Sequence, residues 1–452
     1  MPRIQNIEEN LLVPTLFSQD TAVPVFLGYT EKAENDSGND LKLQPHLVHS
    51  MADFEANFGF AAPEAGIEID FGYDDAGNLV ANCQKSLQQR YSFYYCIQMF
   101  FANGGGKCYI ISIGNYSVIP EIRFTDFESG LSKVSAILDA TLLSFPEAVY
   151  LRNSDEYYYL LDTAIAITEE NSLLFVLADL WQGNLNVSQA MDVFRQYAFQ
   201  YTHLLGNGAI FFPQIISELA INFGDLSRIR IINGDAEDLA ALKTANYLQY
   251  ILGINILQKL ENLVPASTVI AAKFSVNDKM NGIWNVPSAV PLNLVEKTDL
   301  AIDDAIQQKL NHDPVSGKSI NALRKFPKRG VLIWGARTMD SRNTETRYIS
   351  VMRMKQHVRE TVRKAAETFH SEENNMMTWR RLKLLIEQYL FKLWKAGALA
   401  GNLSHEACFV RVGVGTTMTE VDVQQKKLKV LTGLAFTKPS EFQLISIEVK
   451  MK

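Results

Sequence analysis

Residues 326–338 read Phe-Pro-Lys-Arg-Gly-Val-Leu-Ile-Trp-Gly-Ala-Arg-Thr, and this stretch organises the reading of everything around it. Arg329-Gly330 is a turn signal, and residues 331–336 form an apolar run of strand length. The period then changes. Over residues 348–369 and again over 377–396, apolar side chains recur at helical spacing, and Gly397 stands where a helix would stop. Three segments of strand character follow, residues 407–414, 427–436 and 441–450. In the last, Ile445, Ile447 and Val449 alternate strictly with polar residues, which predicts one buried face.

Upstream, the pattern is an alternation of strands and helices. Residues 22–29 (AVPVFLGY) are a strand followed by a polar loop, and residues 86–103 carry Tyr91, Phe93, Tyr95, Ile97 and Phe101 at helical spacing before Gly104-Gly105-Gly106. A strand at 107–113, a helix at 130–144, a strand at 173–178, a helix at 188–203 and a strand at 208–212 continue the series. Residues 235–261 read as one long helical tract, and residues 267–273 open a group of short elements ending near Lys328. The expected class is α/β, α+β overall. Residues 1–19 have no turn of their own; Ile4, Ile7, Leu11 and Leu12 are spaced by polar residues as in an arm that pairs elsewhere.

At 452 residues the chain exceeds one ordinary core, so two or three domains are expected. With 47% apolar and 21% charged residues it is a folded globular protein rather than a disordered one. No apolar run reaches the roughly 20 residues of a membrane span, and the first residues lack the apolar stretch of a secretory signal. The expectation is a chain without membrane insertion, its scattered cysteines reduced in a cytoplasm. Charge is unevenly placed. Residues 1–320 carry 19 basic and 38 acidic side chains, a balance of −19, while residues 321–452 carry 24 and 12, a balance of +12. Such asymmetry suggests an oriented partner.

Candidate chemistry is weak throughout. Ser316-Gly317-Lys318-Ser319 ends like a phosphate loop, but His312 stands where that motif needs glycine. Gly104-Gly105-Gly106-Lys107 follows a helix instead of preceding one, the wrong order for an anion cradle. His46 and His49 have no third ligand nearby, and Cys83, Cys96, Cys108 and Cys408 form no CxxC pair. Cys108 sits inside an apolar strand, and Asp303-Asp304, beside Asp299, read as an exposed acidic face. No catalytic, cofactor or metal set is expected. Basic residues Arg353, Lys355, Arg359, Arg363 and Lys364 lie along one predicted helix, and Arg380, Arg381 and Lys383 open the next. Two rivals stay open: a soluble α/β enzyme with an unidentified pocket at the sheet's C-terminal edge, and a basic nucleic-acid-binding module. The second lacks the stacking aromatics or helix-turn-helix such modules show.

Residues 326–338 resemble the Arg-Gly, apolar strand, Trp-Gly-Ala-Arg-Thr signature of the contractile tail sheath family of phage tails, pyocins and related injection systems. Further matches are Arg347-Tyr348-Ile349, the turn from Glu373-Asn374-Asn375 to Trp379, Leu393-Trp394-Lys395-Ala396-Gly397, Phe409-Val410-Arg411 and Pro439-Ser440-Glu441-Phe442. Upstream, residues 22–30, 100–109 and 282–287 also match; residues 1–19 depart from the family's opening, and 120–260 match loosely. The resemblance implies an N-terminal linker arm at 1–21 and an outer α/β domain at 22–320. An inner, tube-facing domain would span 321–440, with its strands and two long helices, and a C-terminal exchange strand 441–452. It implies a structural, non-enzymatic subunit that polymerises around an inner tube and contracts. Its partners would be itself in stacked hexameric rings, the tube protein, and baseplate and terminal cap proteins, with no nucleic acid and no cofactor. Ile4, Ile7, Leu11, Leu12, Ile445, Ile447 and Val449 would then serve intersubunit strand exchange, and the eight basic residues named above would face the tube.

Overall fold

The computed structural model describes residues 20–85, 89–183 and 185–452. The arm residues Ile4, Ile7, Leu11 and Leu12 lie outside them. The chain divides after Arg353 into two compact units, Thr21–Arg353 and one built on Met354–Lys452.

The larger unit is organised by an eight-stranded sheet. Its order is Gly330–Trp334, Asn321–Phe326, Gly208–Phe212, Phe175–Asp179, Leu142–Ser144, Pro24–Thr30, Cys108–Asn115 and His46–Val48. The six inner strands pair in parallel, and each end of the sheet is closed by one antiparallel strand. A parallel sheet covered on both faces needs strands that are apolar on both faces. Pro24–Thr30 meets this need: Val25, Leu27 and Tyr29 enter one core with Phe127, Leu131, Leu161 and Phe194, while Phe26 enters the other with Phe93, Phe100, Ile270 and Phe274. Each such side chain stabilises by about 1.5–3 kcal/mol when fully buried. Two three-stranded sheets complete the unit, Arg230–Ile232 with Ile67–Tyr73 and Leu79–Lys85, and Asn262–Val264 with Ile215–Ser217 and Val295–Thr298.

The α/β class expected from the alternation is the class observed, with several local differences. The helix expected at 130–144 is the shorter Phe124–Leu131, because Leu142–Ser144 is a strand of the main sheet. The tract at 235–261 is two helices, Leu239–Ala245 and Tyr247–Leu257, divided at Asn246, whose side chain accepts the Gln249 N–H and caps the second. Residues 267–273 open one long helix, Ser267–Asn281, and the short elements expected up to Lys328 begin only after it, with Val295–Thr298 and Asp304–Asn311. The N-terminal N–H groups of Ser267–Asn281 are satisfied from a distance: Asp179, at the end of strand Phe175–Asp179, accepts from Ala266 and Ser267 at 2.7 and 3.1 Å. Strands Asn321–Phe326 and Gly330–Trp334, which the sequence places at the start of the C-terminal domain, belong to the large sheet because Asn321 and Ala322 pair in parallel with Phe211 and Phe212.

The smaller unit contains most of helix Ile349–Thr368, helix Met376–Lys395 and an antiparallel sheet of Cys408–Val412, Lys427–Leu434 and Gln443–Lys450. The turn between the helices is held by side chains. Asn375 accepts from the Met377 and Thr378 N–H groups, and Trp379 Nε1 donates to Asn374, whose amide donates to the Lys427 carbonyl. The second helix ends where Gly397 takes φ 82°, a left-handed turn that costs glycine no side-chain clash. Its buried Leu382, Leu385, Ile386 and Leu390 lie at helical spacing along one side.

Candidate functional site

In the larger unit the positions where chemistry was weighed are occupied by structural work. Lys318 is buried, and its ammonium donates to the carbonyls of Phe194, Arg195 and Tyr197 at 2.9, 3.0 and 2.7 Å. It therefore closes the C-terminus of helix Val187–Gln196, where a cation is favoured; burial pushes its pKa down to about 8. Cys108 is fully buried, and burial raises its thiol far from the reactive range. Asp303 caps helix Asp304–Asn311, and Asp304 meets Arg324 at 2.9 Å. No His, Cys, Asp or Glu cluster of metal-binding size includes His46 or His49 among the described residues.

At the C-terminal ends of the parallel strands, where α/β enzymes place their ligands, two buried carboxylates hold backbone instead. Asp179 anchors the helix noted above. Glu147 accepts the Tyr29 N–H on Oε2 at 2.8 Å, and those of Ser92 and Phe93 on Oε1 at 2.6 and 3.0 Å. Burial pushes Glu147 up to about 7 and Asp179 to about 6, while the N–H donors pull the other way.

The features suited to assembly lie in the smaller unit. Its sheet runs in the order Cys408–Val412, Lys427–Leu434, Gln443–Lys450, so no further strand of the described residues pairs with the outer edges of the first and last, although His370 bonds the Lys450 carbonyl at the end of the last. Open edges are templates for another chain's strand. In Gln443–Lys450 the expected alternation holds: Gln443, Ile445 and Ile447 are buried, Leu444, Ser446 and Glu448 exposed, and Val449 is half-buried. Every residue of this strand is opposed within its own chain, from Gln443 across Leu434 to Lys450 across Lys427. A shallow groove of about 640 Å³, lined by Arg363, Glu367, His370, Glu448, Val449 and Lys450, lies beside it.

The basic candidates do not form one patch. Arg353 is a correction: its side chain is 2% exposed and forms an ion pair with Asp278, 1% exposed, at 2.6 Å inside the larger unit. Arg363 pairs with Glu360 at 2.5 Å and with Glu367, and Lys364 lies 3.7 Å from Glu360. Arg381 meets Glu372 at 2.9 Å and Lys383 meets Glu387 at 3.7 Å. Lys355 is half-buried. Only Arg359 and Arg380 are exposed without an ion-pair partner among the described residues. The +12 balance is divided as well, since 8 basic and 2 acidic side chains of residues 321–353 lie in the larger unit and 16 and 10 in Met354–Lys452.

One feature of the second helix was missed by reading charge alone. Met377, Leu384 and Phe391, each seven residues from the next, are 66, 52 and 46% exposed. Seven residues make nearly two turns, so the three share a face opposite the buried set. A shallow depression of about 350 Å³ formed by Glu387, Gln388, Phe391 and Lys392 lies on it. The heptad spacing was visible in the sequence; which apolar positions stay outside was not.

No family model and no curated protein matches the sequence. Solved structures match along the whole chain. A chain of the anti-feeding prophage baseplate in contracted state is 22% identical, covering 99% of this chain and 98% of that one with a TM-score of 0.69. The PVC sheath complex of an extracellular contractile injection system, also contracted, is 21% identical over 99% and 97% with a TM-score of 0.63. The sheath tail protein from Listeria innocua is 8% identical over 96% of each chain with a TM-score of 0.52. The chain therefore has the fold of contractile sheath proteins from end to end.

Proposed function

We propose that this chain is a sheath subunit, a non-enzymatic building block that polymerises helically around an inner tube and contracts to drive the tube through a target envelope. The observation that carries the reading is the match of fold over nearly the full length of both chains to a sheath in its contracted state. The outer edges of the small antiparallel sheet, which no other strand of the described residues covers, supply a physical means of linking copies, since strand addition satisfies backbone hydrogen-bonding groups. Stacked hexameric rings, an inner tube protein, and baseplate and cap proteins are the partners this function requires. Assembly takes place in the bacterial cytoplasm, before any release or anchoring of the particle.

Within that reading, residues 1–21 and 441–452 link neighbours, through Ile4, Ile7, Leu11, Leu12, Ile445, Ile447 and Val449. The remainder of residues 22–320 forms the outer part of the sheath. The tube-facing side is carried by the unit built on Met354–Lys452. Its contact combines the basic residues Lys355, Arg359, Arg363, Lys364, Arg380, Arg381 and Lys383 with the apolar stripe of Met377, Leu384 and Phe391. Arg353 leaves this set because its charge is already neutralised inside the protein. Contraction exchanges one packing of subunits for another while the strand links persist as hinges.

Negative-stain microscopy of the purified protein, with and without its tube partner, tests the proposal. Rings or striated cylinders are expected; a strict monomer under every condition would end it.

A further inference from the structure

The larger unit begins at Thr21 and ends at Arg353, and folding brings these two residues, 332 positions apart, into direct contact. Arg353 Nη2 donates to the Thr21 carbonyl at 2.8 Å. Helix Ser267–Asn281 holds the rest of the guanidinium: both Asp278 carboxylate oxygens accept from it, at 3.1 and 2.6 Å, and it lies 4.6 Å over the Phe274 ring. The same helix takes hold of the next residue of the chain. Ser275 Oγ shares its proton between the Ala22 carbonyl at 3.3 Å and the Ala271 carbonyl of its own helix at 3.2 Å. One residue further, Val23 is locked to the main sheet, where Thr141 Oγ1 accepts its N–H at 2.7 Å and the Thr141 N–H donates to its carbonyl at 2.9 Å. Entry and exit of the unit are thus fastened to one helix, whose other end Asp179 ties to the sheet.

Stability alone does not account for this arrangement. A buried ion pair is often no more stabilising than a well-packed apolar pair of the same volume, so what this one supplies is a fixed geometry. The forked guanidinium reaches Asp278 and Thr21 at once, which a lysine ammonium on its flexible stem would not do in one fixed orientation. Arg353 stands near the start of helix Ile349–Thr368, along which the chain leaves the unit. A body whose two connections leave from one point can turn about that point without drawing them apart. Connections that leave from separate points change their spacing as the body turns.

We propose that Arg353, Asp278 and Thr21 form a pivot: they clamp the two ends of the larger unit together, so that both connections leave it at one joint and the unit turns about that joint when the sheath contracts. This rests on the sheath reading above. Arg353 is a positioning residue here. It acts on the ends of its own unit and touches neither tube nor neighbour, which is why its charge is neutralised internally. Hinges of this kind confine a large rotation to a few residues at the ends of elements and leave the packed bodies intact. Without the clamp, each end frays independently, and the spacing of the two connections is no longer set by the unit that carries them.

Arg353→Met with Asp278→Leu separates the clamp from the stability of the unit, because it removes both charges together yet leaves nothing to hold the Thr21 carbonyl. In the unassembled double variant, hydrogen exchange resolved to single residues is expected to be at least about tenfold faster at Val23 than in wild type, and unchanged along Phe175–Asp179 in the middle of the sheet. Sheath formed on the tube protein is expected to fall at least about fivefold in sedimented yield, at nearly unaltered Tm. Should the double variant fold poorly, Arg353→Lys, which leaves Asp278 a cation but lacks the fork, carries the same readouts. Exchange at Val23 equal to wild type overturns the clamp. Faster exchange at Val23 with full assembly and normal contraction overturns the pivot while leaving the sheath reading intact. Failure of the wild type itself to polymerise, with Val23 responding as expected, overturns the sheath reading instead of the clamp.

Discussion

Replacing Arg353 with alanine should destabilise the larger unit by about 3–5 kcal/mol, the usual result of removing one partner from a buried ion pair. The guanidinium donates to both carboxylate oxygens of Asp278 at 3.1 and 2.6 Å and to the Thr21 carbonyl at 2.8 Å, and lies 4.6 Å over the Phe274 ring. Without it, Asp278 is a buried carboxylate with no counter-charge. Replacing both partners by apolar residues, Arg353→Met with Asp278→Leu, removes the charge and its solvation cost together, and should return stability to near wild type. A unit of roughly 330 residues has an unfolding entropy of about 0.7 kcal/mol/K, so the single substitution should lower Tm by roughly 4–7 °C. Scanning calorimetry of the full chain, wild type, both singles and the double, provides the cycle. If Arg353→Ala left Tm within about 1 °C of wild type yet abolished assembly on the tube, Arg353 would be a tube contact and the burial argument would fail.

Other expectations follow from single contacts. Ile445→Ala deletes a side chain from the core of the smaller unit and should cost about 2–5 kcal/mol, whereas Leu444→Ala beside it, on the exposed face, should stay within about 0.5 kcal/mol; equal effects in urea unfolding would contradict the strand's alternation. Changing Met377, Leu384 and Phe391 together to serine should leave Tm nearly unaltered and reduce tube-templated assembly at least tenfold, read by sedimentation; unchanged assembly would remove the stripe from the tube-facing side. Glu147 is pushed up to about 7 from an ordinary 4.5, so the folded protein holds a proton that the unfolded chain releases. Its contribution to stability is fully present below about pH 4.5 and is lost as pH rises through about 7, a difference of about 3 kcal/mol. Glu147→Gln should flatten that slope in unfolding titrations, and an unaltered slope would place the titration elsewhere.

Periodicity made a good part of the architecture legible. The two long helices of residues 349–395 lie within two residues of where apolar spacing puts them, because each carries a buried stripe and the second ends at Gly397. The last strand was equally clear, since its period of two admits only one buried face. Helix Ser267–Asn281 was not, because it is buried nearly all round and its N-terminus is capped by Asp179, 87 residues away for the nearer contact; no local pattern encodes either fact.

The basic stretch shows the same division. By itself the sequence determined that positive charge gathers toward the C-terminus, that no convergent set of catalytic side chains is spelled out, and that the last strand has one apolar face. Tertiary structure alone decided that Arg353 is an internal strut, that half the basic excess belongs to the larger unit, and that the last strand is already paired with its own chain. Charge and periodicity are properties of residues in order, whereas neutralisation by Asp278 and pairing with Lys427–Leu434 depend on which distant segments folding brings within hydrogen-bonding distance.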